Sequence, residues 1–256
     1  MIGGIKTGAN AFFFPNKKLI SKYKIPDEYL KPGIKSGRNI PSQFIIENSH
    51  ISQYFFTIPS SKSSQNIIKD VGGYLNWGSE EKEFPKRPSV NWDPWYSIPK
   101  KSQDCPDILF LRHIDKEFKA KYNKAKAIVA DGIRGIKIIN FNPKKIFFYL
   151  GVLNSSFFYW QAHIKGRWEG QGDLQLLVYE LKQFDIPNYN EISKQARESV
   201  IELWKLIIST NTNCISDNLQ KKLDIAVLKT LGLEKFYNVL RGDLKLLETH
   251  RISKKL

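Results

Sequence analysis

The chain has few cysteines and no long apolar run. Only two cysteines, Cys105 and Cys214, occur in 256 residues, which is too few for the disulfide framework of a small secreted domain. No stretch reaches the roughly 18 consecutive apolar residues that a membrane-spanning helix needs. The first residues contain no apolar segment of signal-peptide length. These absences predict a cytoplasmic protein without a membrane partner.

Local motifs of catalysis are missing as well. Neither a phosphate-binding loop nor a dinucleotide-binding glycine pattern occurs, and the glycine-rich segment 166–172 matches neither of them. The four histidines stand far apart, without the spacing of metal ligands. Two neighbouring acids, Asp104 and Asp107, are interpreted as solvated loop carboxylates. The sequence therefore predicts no catalytic residue, no metal and no cofactor bound by this chain.

Acidic residues are outnumbered by basic ones. Forty Lys and Arg against 25 Asp and Glu give a net charge of +15 and a pI near 9.6. The segment from Glu191 onward holds 12 basic and 8 acidic residues, which leaves 28 basic and 17 acidic residues, a net +11, among the first 190. Such a field attracts polyanions, and nucleic acid is the first partner to consider. An anionic membrane surface and a generally lysine-rich composition are the alternatives.

Apolar patterns and turn residues predict an α+β fold, in which a mixed, twisted β-sheet with packed helices precedes a C-terminal α-helical bundle. Asp131-Gly132 predicts a two-residue hairpin turn between strands 127–130 and 133–139, because both turn residues tolerate positive φ. Short apolar runs bounded by proline, glycine or serine favour further strands at 2–6, 11–14, 43–46, 54–58 and 108–114.

Helical spacing of apolar residues indicates two groups of helices. In the first part of the chain, it predicts helices over 64–79, from Pro143 to about residue 162, and around 179–184.

After Asn190, three consecutive amphipathic helices suggest a small bundle. Ser216 is expected to cap the second of these helices, and Gly232 is expected to end it. The predicted domains are therefore residues 1–190 and 191–256.

Basic and polar residues stand beside glycines, aromatic residues and strand ends in the first part of the chain. Lys and Arg neutralise phosphates, Arg can bind a guanine edge through two hydrogen bonds, and glycine lets a backbone approach DNA closely. These properties predict DNA contacts from Lys6, Thr7, Asn10, Arg38, Arg87, Arg112, Arg134, Lys165 and Arg167.

A series of short segments occurs along nearly the whole chain. They are GIKTGANAFF at 4–13, WYSIP at 95–99, DILF at 107–110, YNKA at 122–125, LNSSF at 153–157, GQGDL at 170–174, FDIP at 184–187 and the helical tail from Leu223 to Arg251. In this order they resemble the C-terminal target-recognition (specificity) domain of TaqI-type adenine-specific DNA methyltransferases of restriction-modification systems.

The resemblance implies that residues 1–190 are a DNA target-recognition domain and that 191–256 form its C-terminal helical bundle. In that family a separate N-terminal domain binds S-adenosylmethionine and carries an Asn-Pro-Pro-Tyr-type motif, into which the target adenine is flipped. This chain has no Asn-Pro-Pro or Asp-Pro-Pro, and its nearest string is NWDPWY at 91–96. We therefore expect it to give specificity on double-stranded DNA without methyl transfer of its own, acting with a methyltransferase catalytic domain or subunit.

The landmark residues also have structural interpretations. Trp95 and Tyr96 are expected to pack in the core rather than to stack on bases. The helix that carries Asn154 and its neighbouring serines is expected to pack closely on the sheet, because these residues are small. Thr7-Gly8 either turns the chain or carries function.

Two rival functions remain open at this point. The first is a piece of a restriction endonuclease or of a fused restriction-methylation enzyme. Glu80-Glu81-Lys82 matches a nuclease motif only poorly. The second is a non-catalytic protein-interaction module. The second rival predicts that the basic residues are spread evenly rather than gathered on one face.

Overall fold

The computed structural model describes residues 1–99, 103, 105–114, 117–210 and 213–253. They form short strands in three sheets with helices packed around them, which confirms the predicted α+β class. Asp104, one of the two acids considered above, lies outside the described residues. Within the described ranges, no helix is both long enough and apolar enough to cross a membrane.

The strands are short. In chain order they are β1 (Ile2–Gly3), β2 (Leu30–Ile34), β3 (Tyr54–Phe56), β4 (Ile108–Leu111), β5 (His113–Ile114), β6 (Lys121–Tyr122), β7 (Ile128–Val129), β8 (Ile133–Ile136), β9 (Arg167–Trp168) and β10 (Leu174–Gln175).

The helices begin mostly at side-chain caps, since Ser or Asn accepts a hydrogen bond from the first turn. They are α1 (Asn10–Phe13), α2 (Lys17–Tyr23), α3 (Ser64–Asn76), α4 (Pro143–Leu153), α5 (Ser156–Lys165), α6 (Val178–Leu181), α7 (Lys194–Ser209), α8 (Asp217–Lys229) and α9 (Tyr237–Ser253).

The mixed sheet of the prediction is divided into three small sheets. The first has the strand order β1-β8-β4-β6 and is antiparallel throughout. The second, β5-β10-β9, is also antiparallel. In the third, β2 pairs antiparallel with β3 and parallel with β7. The predicted strand 108–114 therefore contributes to two sheets, and only Arg112 separates its two halves.

The predicted hairpin around residues 131–132 is wrong. β7 pairs with β2, whereas β8 pairs with β1 and β4, so β7 and β8 do not pair with each other. The N-terminal segment lies between them: the Gly4 amide donates to Ile133 O at 3.0 Å, and the Ile5 amide donates to Val129 O at 2.7 Å. Neither turn residue has positive φ. Pairing with a distant segment has overridden the local turn signal.

Two other predicted strands differ in the structure. Residues 11–13 are helical in α1 rather than extended, residue 14 follows the helix end, and Phe12 and Phe13 are fully buried. A short run that is apolar on every side has no period that separates a strand from a helix. Segment 43–46 pairs only through a single bridge between Ile45 and Tyr122.

The predicted helix 143–162 is interrupted at Asn154. The side chain of Asn154 accepts from the Ala120 amide at 3.0 Å and donates to Ala120 O at 2.9 Å, which ties the break to the chain before β6. Ser155 then caps the new helix α5. Asn154 thus acts through hydrogen bonds and not, as expected, through its small size.

An aromatic core holds the N-terminal elements together. Phe12 stacks on Tyr74 of α3 with 4.6 Å between ring centroids, and Trp95 contacts Phe12 at the same centroid distance. The Tyr74 hydroxyl donates to Phe12 O at 2.5 Å. Tyr96 packs edge-on against Trp95 at the margin of this core. The predicted core role of the two landmark aromatics is confirmed.

A second core joins α4 and α5 to the C-terminal helices. Trp204 of α7 is fully buried and packs edge-on against Phe44 at 5.1 Å. Near the end of α9, the buried Arg251 donates to Ile114 O in β5 at 2.8 Å and to Gly172 O at 3.4 Å. The helices after residue 190 therefore share a core with the preceding segment, and the division at that residue stays a prediction.

His163 of α5 lies inside this second core. Its side chain is almost fully buried between the rings of Tyr159 and Trp168, and neither ring nitrogen has a hydrogen-bond partner among the described residues. Burial, with a smaller contribution from the charge of Arg251, lowers the pKa of His163 to about 4. The imidazole is consequently neutral in the folded protein at neutral pH.

Replacing His163 should reduce the loss of stability in acid. The folded-state pKa lies below the value of about 6.5 of an unfolded histidine, so the unfolded state binds more protons between the two values. The free energy of unfolding therefore falls as the pH drops through that window, by about 2 kcal/mol at pH 5 for this group. Urea denaturation at pH 7.5 and pH 5 should show a smaller acid loss for His163→Phe than for the wild type. His250→Gln, which removes an exposed histidine, should keep the wild-type loss; equal losses in all three proteins would contradict the buried neutral imidazole.

Candidate nucleic-acid interface

Several strands end at one edge of the molecule. The Asp131 amide donates to Ile5 O and the Ala130 amide to Ile34 O, both at 3.1 Å. The Arg112 amide donates to Gly132 O, also at 3.1 Å. The turn at 131–132 therefore contacts the ends of the N-terminal strand segment, of β2 and of β4. We call the segments that meet here the convergent edge, which comprises residues 6–10, 35–39, 112 and 131–132.

Two arginines meet at Asp131 of the convergent edge. Arg134 Nη1 donates to the main-chain oxygen of Asp131 at 2.7 Å and lies 3.4 Å from its carboxylate. Arg112 Nη1 lies 3.7 Å from the other oxygen of the same carboxylate. Burial lowers the pKa of the Arg134 guanidinium, the nearby charge of Arg112 lowers it too, and Asp131 opposes both effects. We call Arg112 and Arg134 the arginine pair.

The loop after the first strand is held by its own polar side chains. Thr7 is buried; its hydroxyl donates to Asn10 Oδ1 at 2.6 Å and accepts from the Ala9 amide at 3.1 Å. Thr7 thus shapes the loop from inside, which corrects the expectation that it offers a surface contact. Lys6 and Asn10 are exposed on either side of it.

Two further predicted residues lie beside or within the convergent edge. Arg87 is exposed and covers the Phe84 ring at 4.4 Å, two residues before Ser89, which contacts the loop at Gly8. Arg38 is exposed in the 3₁₀ turn after β2, and this turn packs on the Leu111 side chain at the end of β4.

Lys165 and Arg167 are placed elsewhere and have internal partners. Lys165 Nζ lies 2.6 Å from Asp185 Oδ2, and it donates to a main-chain oxygen at 2.7 Å. Arg167 bonds the Tyr179 hydroxyl and lies 3.6 Å from Glu180. Arg167 lies on β9. Strand β10 separates β9 from β5, and β5 begins directly after Arg112. The structure therefore does not bring these two residues into the convergent edge.

Asp131 and Lys121 have contacts in the structure that no sequence motif indicates. Asp131 was interpreted only as a turn residue, yet its carboxylate is the acid that faces the arginine pair. Lys121 is buried, although lysine is usually a surface residue, and it donates to three main-chain oxygens of residues 41–43 at 2.6 to 3.3 Å. Burial lowers the pKa of Lys121 to about 8, and the charge of Lys119 contributes.

The glycine-rich segment and the proline string each have a structural setting. Residues 166–175 hold β9, a 3₁₀ turn and β10, so a strand leads back to a strand. A nucleotide-binding glycine loop instead leads from a strand into a helix. In the string 91–96, Trp92 and Trp95 pack against the aromatic core. That this chain binds no S-adenosylmethionine stays a prediction.

Gly8 controls the contact between the loop and the segment that carries Arg87. It has φ +69°, and a Cβ atom there would lie 2.3 Å from Ser89 O. Gly8→Ala should therefore lower the free energy of unfolding by about 1–3 kcal/mol, because it combines an unfavourable φ with a clash against main chain. Urea denaturation measures the change. Gly170→Ala, where a Cβ meets nothing within 4 Å, is the matched control, and an equal effect of the two substitutions would contradict the close contact.

Comparisons with known proteins agree with this architecture. The chain resembles the type IIG restriction endonuclease BpuSI, with a TM-score of 0.62 and 17% identity over 99% of this chain and 30% of that one. It also resembles the type IIL restriction-modification enzyme MmeI, whose structure was solved in complex with DNA, with a TM-score of 0.59 and 15% identity over 98% of this chain and 35% of that one. At these identities the likeness concerns the fold, and the chain spans about a third of the length of either enzyme.

A search of curated protein sequences finds no match to the chain. The family model of the C-terminal domain of the type II methyltransferase M.Eco57I matches residues 2–224, which is most of the chain. With the three-sheet architecture and its edge of basic loops in place, this match shows that the chain belongs to the family of M.Eco57I-type C-terminal domains of type II methyltransferases.

Proposed function

We propose that this chain recognises the target sequence of an adenine-specific DNA methyltransferase in a restriction-modification system. The gathering of basic side chains on or beside the convergent edge carries the proposal. Lys6, Arg38, Arg87 and the exposed part of the arginine pair stand on loops that a hydrogen-bonded sheet holds in place. Phosphate contacts would set the register of the protein on the duplex, and a few loop side chains would bind base edges.

The placement of these charges supports DNA over a protein partner. The net +11 of the first 190 residues is a general attraction for a polyanion. An even spread of this charge would have favoured an interaction module. Five of the basic residues singled out in the sequence, namely Lys6, Arg38, Arg87, Arg112 and Arg134, lie on or beside the convergent edge.

We assign methyl transfer to a part of the enzyme outside this chain. Membership in a family of C-terminal methyltransferase domains supports this assignment. The assignment also agrees with the length of the chain, which spans about a third of each of the two larger enzymes. The missing part would bind S-adenosylmethionine and receive the flipped adenine. Adenine as the target base rests on the resemblance to TaqI-type enzymes, and we expect the whole assembly to act on DNA in the cytoplasm.

A fused restriction-methylation enzyme is the second candidate for the whole protein. It is favoured by the observation that both structural neighbours are restriction enzymes. The role of this chain would be unchanged, since a nuclease centre would lie in the remaining part. A magnesium-dependent cleavage assay on the purified chain should then yield no product, and cleavage would assign the nuclease to these residues.

Duplex DNA should bind the purified chain with strong salt dependence. Fluorescence anisotropy with random-sequence duplex across a salt series measures the binding constant K. Log K should fall by about 0.9 per neutralised phosphate for each tenfold rise in salt concentration. Lys6→Gln should weaken binding to all sequences by a similar factor, because it removes one phosphate contact. The slope of log K against log salt should fall in magnitude by about 1.

Lys205→Gln provides the matched control, because it removes an exposed lysine from α7, away from the convergent edge. Its binding curve should coincide with that of the wild type. Absence of salt-dependent binding in the wild type, or equal losses for the two variants, would refute the proposed surface.

A further inference from the structure

Among the described residues, the arginine pair has less negative than positive charge. Two guanidinium groups face one described carboxylate, that of Asp131, which leaves one positive charge in excess within this part of the chain. A buried cation is stable only when it is paired or hydrogen-bonded. The deficit at this position therefore indicates room for a further anion.

Hydrogen-bonding capacity is unused in the same place. Arg134 is 5% exposed, and its Nε atom has no partner among the described residues. The buried Nε atom of Arg112 has none either within the described part of the chain. Unpaired buried donors are rare in folded proteins, because each loses its contact with water. Two of them on adjacent guanidinium groups point to a ligand with several acceptor oxygens.

The carboxylate of Asp131 is held loosely. Its distances to the two arginines are 3.4 and 3.7 Å, compared with 2.6 Å for the exposed pair of Lys124 and Glu47. Its side chain is 47% exposed. The short 2.7 Å bond of Arg134 goes to the main-chain oxygen, so the carboxylate can turn away while Arg134 stays in place. Beside it, Gly132 adjoins open space.

We propose that the arginine pair is a binding site for a phosphate group and that the Asp131 carboxylate occupies its place in the free protein. A tetrahedral phosphate offers the acceptor oxygens that the two guanidinium groups lack, in the geometry that arginine favours. The source of the phosphate rests on the proposed function, which makes the ligand the backbone of duplex DNA. Free inorganic phosphate has the same chemistry and is the alternative source.

Asp131 then lowers the overall affinity of the chain for DNA. Each encounter with DNA must displace its carboxylate, which lowers the affinity for every sequence by a similar factor. The ratio of affinities between two sequences is unchanged, but only a site with strong base contacts is still bound tightly. An acid at the centre of a basic surface lowers non-specific binding in this way.

The test compares Asp131→Asn with Glu198→Gln. Both remove one partly exposed acid from an ion pair, but Glu198 lies on α7, outside the convergent edge, and pairs with Lys144 of α4. Anisotropy with random-sequence duplex should show about fivefold tighter binding at low salt for Asp131→Asn, with a salt slope steeper by up to about 0.9, and no such change for Glu198→Gln. Adding Arg112→Gln to Asp131→Asn should abolish the gain.

Inorganic phosphate separates this site from the DNA-binding function. Thermal denaturation should show that phosphate stabilises Asp131→Asn more than the wild type or Glu198→Gln. Phosphate stabilisation without any duplex binding would keep the site and reject DNA as its ligand. Duplex binding that responds equally to both single substitutions, with no phosphate effect, would overturn the site and leave the proposed function intact. Circular dichroism establishes that each variant is folded, and Asp131→Ser replaces Asp131→Asn if that variant is not.

Discussion

The pairing of the N-terminal segment with residues 128–133 is the constraint on which the rest of this structure depends. In a hairpin, β7 and β8 would bond to each other. Here the Gly4 amide donates to Ile133 O in β8, and the Ile5 amide donates to Val129 O in β7. The approach is so close that a Cβ atom on Gly4 would lie 2.0 Å from Ala130 O. Only glycine fits this position. The insertion separates β7 from β8, lets β7 pair with β2, and thereby brings four chain segments to one edge.

The helices were more predictable from the sequence than the strands. Helices are built from contacts between near neighbours, so a cap such as Ser216 and a glycine such as Gly232 mark their ends locally. Strand partners are not encoded locally. Asp131-Gly132 has the composition of a hairpin turn, but a segment more than 120 residues away competes for the same donors and acceptors. The break at Asn154 has the same cause, since its partner Ala120 lies far away in sequence.

The candidate site was predictable to the extent that charge and strand ends mark it. Lys6, Arg38 and Arg112 each follow a strand, and the structure places them together. Burial could not be read from the sequence in the same way. Thr7, Lys121 and Arg134 are polar residues whose environment is decided by tertiary contacts. The role of Asp131 depends on two arginines that reach it from different strands, which no local pattern records.

The bonds of Arg251 have a consequence for the synthesis of the chain. Its guanidinium donates to Ile114 O in β5 and to Gly172 O in the turn between β9 and β10, two positions that leave the ribosome much earlier. The carbonyls that it caps have no such donor until residue 251 has emerged. The N-terminal aromatic core can form during translation, whereas this sheet reaches its final state only afterwards. An exchange of these strands between related chains would therefore have to carry α9 as well.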